Sequence, residues 1–173
     1  TQTLYIYAAN GICTDEDMFT VTVNQTPNIT DLPDVTVCDS YTLPAISVGN
    51  YYTGSGGTGT MLSAGQSITS SQTIYIYAQT GTSTICKDEE SFTVTVNQTP
   101  VVTEMEDVVS CDSYVLPALA SGTYYTGSGG TGTVLNAGDV LTTNQTVYIY
   151  ASNGTCTDQD TFTVTIPQTP NVT

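Results

Sequence analysis

Tyr51–Thr60 reads YYTGSGGTGT, and the same ten letters return at Tyr124–Thr133. Gly54, Gly56 and Gly59 match G-x-G-x-x-G, the spacing of a dinucleotide-binding loop. Such a loop needs a helix behind it to aim backbone N–H groups at phosphate, and an acidic residue about 20 positions further on. The segment that follows, TMLSAGQSIT, carries Gly65 and β-branched residues instead, and no acidic residue appears before Asp88. The other reading is a hairpin, with strands at 50–53 and 58–62 and a Gly-rich connection that supplies positive φ. We take the hairpin, which makes the chain all-β.

Working outward, the flanking segments repeat as well. LYIYA at Leu4–Ala8 returns as IYIYA at Ile74–Ala78 and VYIYA at Val147–Ala151. FTVTV at Phe19–Val23 returns at Phe92–Val96 and as FTVTI at Phe162–Ile166, and CDSY at Cys38–Tyr41 returns at Cys111–Tyr114. The unit is about 70–73 residues long, and the difference lies in a turn where AQTGTSTIC replaces the shorter AANGIC and ASNGTC. NQTPN at Asn24, NQTPV at Asn97 and PQTPN at Pro167 mark junctions, because proline cannot donate to a sheet ladder. The expected domains are therefore 1–27, the C-terminal half of a repeat, and complete repeats at 28–100 and 101–173.

Alternation defines the strands. Phe19, Val21 and Val23 share one face and Thr20 and Thr22 the other; Leu4, Ile6 and Ala8 oppose Tyr5 and Tyr7 in the same way. Gly and Ser-Gly breaks recur every eight to twelve residues or so, and no stretch keeps a helical period. Small antiparallel β-sandwich modules strung into an elongated array are expected, immunoglobulin-like in architecture but without a core tryptophan. The chain opens inside a strand pattern, TQTLYIYAAN, as a piece of a longer array would.

Composition narrows the function. The 173 residues hold 16 Asp and Glu, one Lys, no Arg, no His and no Trp, for a net charge of -15. One cation, Lys87, cannot neutralise phosphates, so nucleic acid and anionic membranes are poor partners. Without histidine the usual general base and metal ligand are missing, which argues against an enzyme. No apolar run approaches the roughly 20 residues that span a bilayer.

Cys13, Cys38, Cys86, Cys111 and Cys156 recur with the repeat, and no C-x-x-C pair suggests a metal site. Disulfides imply an oxidising, extracellular setting. Pairing within repeats gives Cys38–Cys86 and Cys111–Cys156, with Cys13 left to an upstream partner. Pairing across junctions gives Cys13–Cys38 and Cys86–Cys111. The first is expected, because a small module gains most from an internal staple.

Acidic triplets follow the late cysteines: Asp15-Glu16-Asp17, Asp88-Glu89-Glu90 and Asp158-Gln159-Asp160, while Asp39 and Asp112 follow the early ones. With the cysteines paired inside repeats, these carboxylates would converge at one pole. They would suit Ca²⁺, or simply form a solvated surface that keeps strand edges apart. No other cofactor is expected. Tyr51-Tyr52 and Tyr124-Tyr125 form the candidate glycan platform, set against the ordinary reading of tyrosine on a half-buried strand face.

The ordered set CDSY, YYTG-x-GGTGT, YIYA and FTVTV resembles the tandem repeats of giant flavobacterial cell-surface adhesins, the SprB-like gliding adhesins among them. The resemblance runs the length of the chain. It implies export by type IX secretion, display on the bacterial outer surface, and work in adhesion and gliding motility. The implied role is a stalk segment whose partners are neighbouring repeats and extracellular surfaces or polysaccharide. A glycan-binding repeat and a calcium-stiffened surface-layer component are the alternatives.

Overall fold

The structure is a computed structural model that describes residues 1–82 and 84–170. Every regular element among these residues is a β-strand. By their contacts the residues group into two compact units. One holds Thr1–Val35, Thr42–Ser67 and Gln72–Val94; the other holds Thr36–Tyr41, Ile68–Ser71 and everything from Thr95.

The first fragment folds as β1 (Gln2–Asn10) and β2 (Cys13–Val21), an antiparallel hairpin that sets Leu4 opposite Phe19. The next repeat forms β3 (Val35–Cys38), β4 (Tyr41–Thr42), β5 (Asn50–Gly54), β6 (Thr58–Leu62), β7 (Ser67–Ile68), β8 (Gln72–Thr80) and β9 (Cys86–Asn97). Its larger sheet has the order β3-β9-β8-β5-β6, and β4 pairs with β7. The last repeat copies this with β10 (Val108–Val109), β11 (Tyr114–Val115), β12 (Thr123–Gly127), β13 (Thr131–Leu135), β14 (Val140–Leu141), β15 (Gln145–Ser152) and β16 (Thr157–Thr165). There the sheets are β10-β16-β15-β12-β13 and β11-β14. In each complete repeat a central antiparallel pair is thus flanked by a hairpin on one side and by the first strand on the other.

The recurrent anchors face one another across the central pair. Ile74 lies opposite Phe92 and Val147 opposite Phe162, the same register as Leu4 and Phe19. Alternation then sends every second residue into the core. In the last repeat Tyr124, Val147, Ile149, Phe162 and Val164 from the large sheet join Leu141 from the small one and Leu116, just after β11, in one buried cluster. Each such side chain contributes about 1.5–3 kcal/mol by leaving water.

An edge pairing of the last repeat departs from the antiparallel expectation. β10 runs parallel to β16, with Val108 beside Val164 and Val109 beside Thr165. Polar contacts hold this short edge in place. The Asp107 carboxylate accepts the Thr163 N–H at 2.7 Å, and Ser110 N–H donates to Thr165 O at 3.0 Å. Asp34 accepts the Thr93 N–H at 2.6 Å in the same manner.

The YYTGSGGTGT segments are hairpins, β5–β6 and β12–β13. Their glycines serve the turn: Gly130 has φ +70°, and a Cβ there would meet the Tyr150 ring at 2.7 Å. Gly129 has the same φ with open space around it. Both alanine variants should lose roughly 1 kcal/mol to backbone strain, and Gly130→Ala should lose about 1–2 kcal/mol more as the ring is displaced. Urea melts of the two variants check this; equal losses would show that the ring gives way freely.

Candidate functional site: the junction motifs

The chemistry-bearing residues that recur with the repeat gather where CDSY meets the Gln-Thr-Pro segment of its own repeat. Asp39 takes a left-handed backbone, φ 63°, unusual for a residue with a side chain. Its N–H donates to Asn97 O at 2.8 Å, while its carboxylate accepts the Thr99 N–H at 2.8 Å and the Thr99 hydroxyl at 2.7 Å. Asp112, φ 65°, repeats the clasp: its N–H donates to Pro167 O at 3.0 Å, and its carboxylate accepts from Thr169 N–H at 2.8 Å and Oγ1 at 2.5 Å. Sequence reasoning missed both partners. The signal was present, since a Thr of a Gln-Thr-Pro segment recurs whenever the Asp of CDSY does.

These bonds favour the charged carboxylates. The Thr99 backbone N–H, then its hydroxyl, lowers the Asp39 pKa; for Asp112 the Thr169 hydroxyl comes first and its N–H second. A lowered folded-state pKa stabilises the fold at all pH values above the ordinary carboxylate range. That contribution disappears as pH falls below about 4 and through the folded value. Asp112→Asn should therefore shrink the acid-induced fall in melting temperature and leave its neutral-pH slope unaltered. Thermal melts between pH 2 and 7 read this directly, and an unchanged acid limb would count against the clasp.

Beside the first clasp lies the disulfide. Cys38 is bonded to Cys156, with Cα atoms 5.8 Å apart and 118 positions between them in sequence. This corrects the expected Cys38–Cys86 and Cys111–Cys156 pairs: Cys86 and Cys111 carry free thiols, as does Cys13. The parallel first strand supplies the reason. It carries Cys111 to the exit end of β16, where Asp112 meets Pro167, whereas Cys156 immediately precedes the entry end. At the rise of an extended chain these ends are about 35 Å apart, far beyond disulfide reach. β9 separates Cys86 from the Asn97 end in the same way.

That geometry also undoes the expected convergence of carboxylates, since Asp112 sits at the end of its repeat away from Asp158 and Asp160. The triplets instead serve backbone N–H groups. Asp158 accepts from Val102 N–H at 3.0 Å and Asp160 from Met105 N–H at 2.7 Å; Asp88 accepts from Ile29 N–H at 3.1 Å. Glu89 accepts from the Ser55 hydroxyl at 2.6 Å and from Gly56 N–H, and Gln159 takes the same place at Ser128 and Gly129. Among the described residues no group of three or more His, Cys, Asp or Glu is arranged to hold a metal ion.

The tyrosine platform is corrected as well. Tyr51 and Tyr124 are core residues, 1% and 2% exposed, whose hydroxyls donate to Pro44 O at 3.1 Å and Pro117 O at 3.3 Å. Burial, then the charge of Tyr114, pushes the Tyr124 pKa up. Of these four, Tyr52 and Tyr125 stay half-buried at the surface, edge-on to Tyr77 and Tyr150 with centroids 6.3 and 6.1 Å apart.

No family model and no curated protein matches the chain. Among solved structures, the titin domains Z1Z2 in complex with telethonin align over 86% of this chain and 100% of that one, at 13% identity and a TM-score of 0.34.

Proposed function

We propose that the chain is a non-enzymatic structural segment of a long extracellular filament, a tandem array of Ig-like β-sandwich repeats on a bacterial outer surface that serves adhesion and gliding. The observation that carries this reading is the Cys38–Cys156 bond, which ties one repeat of the sequence to the next. A covalent tie of that kind shortens the path that tension takes, so the residues it encloses bear no extension until sulfur–sulfur cleavage. The recurrent carboxylates support the same reading, since they brace turns and junctions. Export by type IX secretion follows from the resemblance of the repeats. An antibody raised against the chain is expected to label intact, unpermeabilised cells of the organism that makes it; labelling confined to lysed cells would contradict the proposal.

A second reading has one observation in its favour. Tyr52 and Tyr77 line a shallow groove with Asn50 and Gln79, and Tyr125 and Tyr150 line its counterpart. Rings beside amide groups suit a sugar. A glycan array probed with the wild type and with a Tyr52→Ala, Tyr125→Ala double variant decides it: signal lost in the variant supports a glycan-binding repeat.

A further inference from the structure

A carbonyl of the same junction motif lies beside Cys156 and beside Cys86, but only Cys156 is bonded. Cys156 Sγ lies 3.8 Å from Asn97 O and is bonded to Cys38. The Cys86 thiol donates to Asn24 O at 3.7 Å and is free. Asn24-Gln25-Thr26-Pro27 and Asn97-Gln98-Thr99-Pro100 are identical in sequence. At the second of these, Asn97 O accepts the Asp39 N–H, Thr99 donates its N–H and hydroxyl to the Asp39 carboxylate, and Cys38, next in the chain, is bonded to Cys156. At the first, Thr26 is exposed and no carboxylate meets it among the described residues.

The hairpin β1–β2 adjoins that segment and bears an independent mark of the same kind. Ile6 is 60% exposed and Phe19 48%, although their counterparts Ile76 and Phe92 are buried. In a complete repeat this face is covered by the residues that precede the YIYA strand; Tyr51, for example, meets the Phe92 ring edge-on at 6.3 Å. A bare face in the register of a filled one, next to a clasp without its Asp and a thiol without its partner, has the shape of one ligand.

We propose that Cys86, Asn24–Pro27 and the apolar face of β1–β2 form a receiving site for the leading part of a repeat, a segment equivalent to residues 28–71 or 101–144. Its CDSY motif places Asp on Thr26 and bonds its cysteine to Cys86. Each early cysteine then pairs with the late cysteine of the following repeat, and Cys111 is the donor half of the next link. Bond formation removes two protons and two electrons from the two thiols; a low-molecular-weight disulfide such as oxidised glutathione accepts both and leaves as two thiols. The inference rests on the tandem-repeat reading but not on the adhesive role, and its test reads connectivity whatever the cellular location.

The test adds a copy of residues 101–144 ahead of Thr1 in the full chain. After refolding with oxidised glutathione, non-reducing peptide mapping should link the added early cysteine to Cys86, with Cys13 still open to alkylation. Amide exchange in Tyr5–Ala8 and Phe19–Val21 should slow by about tenfold or more, as expected when a sheet face becomes covered. A second version with serine for the added cysteine should retain slowed exchange, because clasp and core contacts remain. A link to Cys13 would overturn the proposal, since it would restore pairing within the repeat. So would an unlinked Cys86 together with unchanged exchange in both versions.

Discussion

Cys156→Ser is expected to lower the free energy of unfolding by about 4 kcal/mol and the melting temperature by roughly 10 °C. The bond to Cys38 closes a loop of 118 positions. In the chain-entropy account, freeing a loop of that length in the unfolded state costs the fold nearly 5 kcal/mol, before any native-state strain is subtracted. Cys86→Ser is the control, because that thiol is free and half-buried; it should cost less than about 1 kcal/mol. Denaturant melts with and without reductant separate the two. Reductant should reproduce the Cys156→Ser loss in the wild type and leave Cys156→Ser itself unaffected. Equal stability of the two serine variants would mean that the bond contributes nothing.

Phe162→Ala should be as damaging, by about 3–5 kcal/mol, while the equivalent Phe19→Ala should cost about 1 kcal/mol or less. The two residues occupy the same place in the repeat and the same register opposite an aliphatic partner. Phe162, however, is 1% exposed and packs edge-on against Tyr124 at 6.2 Å, in a cluster fed by both sheets. Truncation there leaves a cavity of most of a ring, with neighbours fixed by the sheet ladder. Phe19 has one face in water, so its removal forfeits little transfer energy and leaves no void. Comparable losses at the two positions would show that β1–β2 is covered by the chain itself.

Much of this fold could be read from short alternating runs. Phe opposite an aliphatic in three hairpins follows from LYIYA and FTVTV being strands of one period joined by a tight turn. The Gly-rich hairpin follows from the absence of a helix after Gly59. The two-residue strand Val108–Val109 carried no such signal, yet its parallel course separates Cys111 from Cys156 and so decides the sulfur connectivity. Local pattern reports which face is buried, not which direction an edge strand runs. The tyrosine pairs were legible in principle: neighbours along a strand point to opposite faces, so Tyr51 and Tyr52 could never both be exposed. The Asp39–Thr99 clasp joins residues 60 apart, and no periodicity measures such a distance.

The central claim is that the sulfur bridge runs from one repeat to the next. Single-molecule extension of residues 1–173, with the ends held, tests it most directly. Without reductant the 118-position loop stays closed; reduction should release one increment of about 400 Å at the reach of an extended chain. Two separate increments of about 160 Å each, the lengths enclosed by Cys38–Cys86 and Cys111–Cys156, would contradict it.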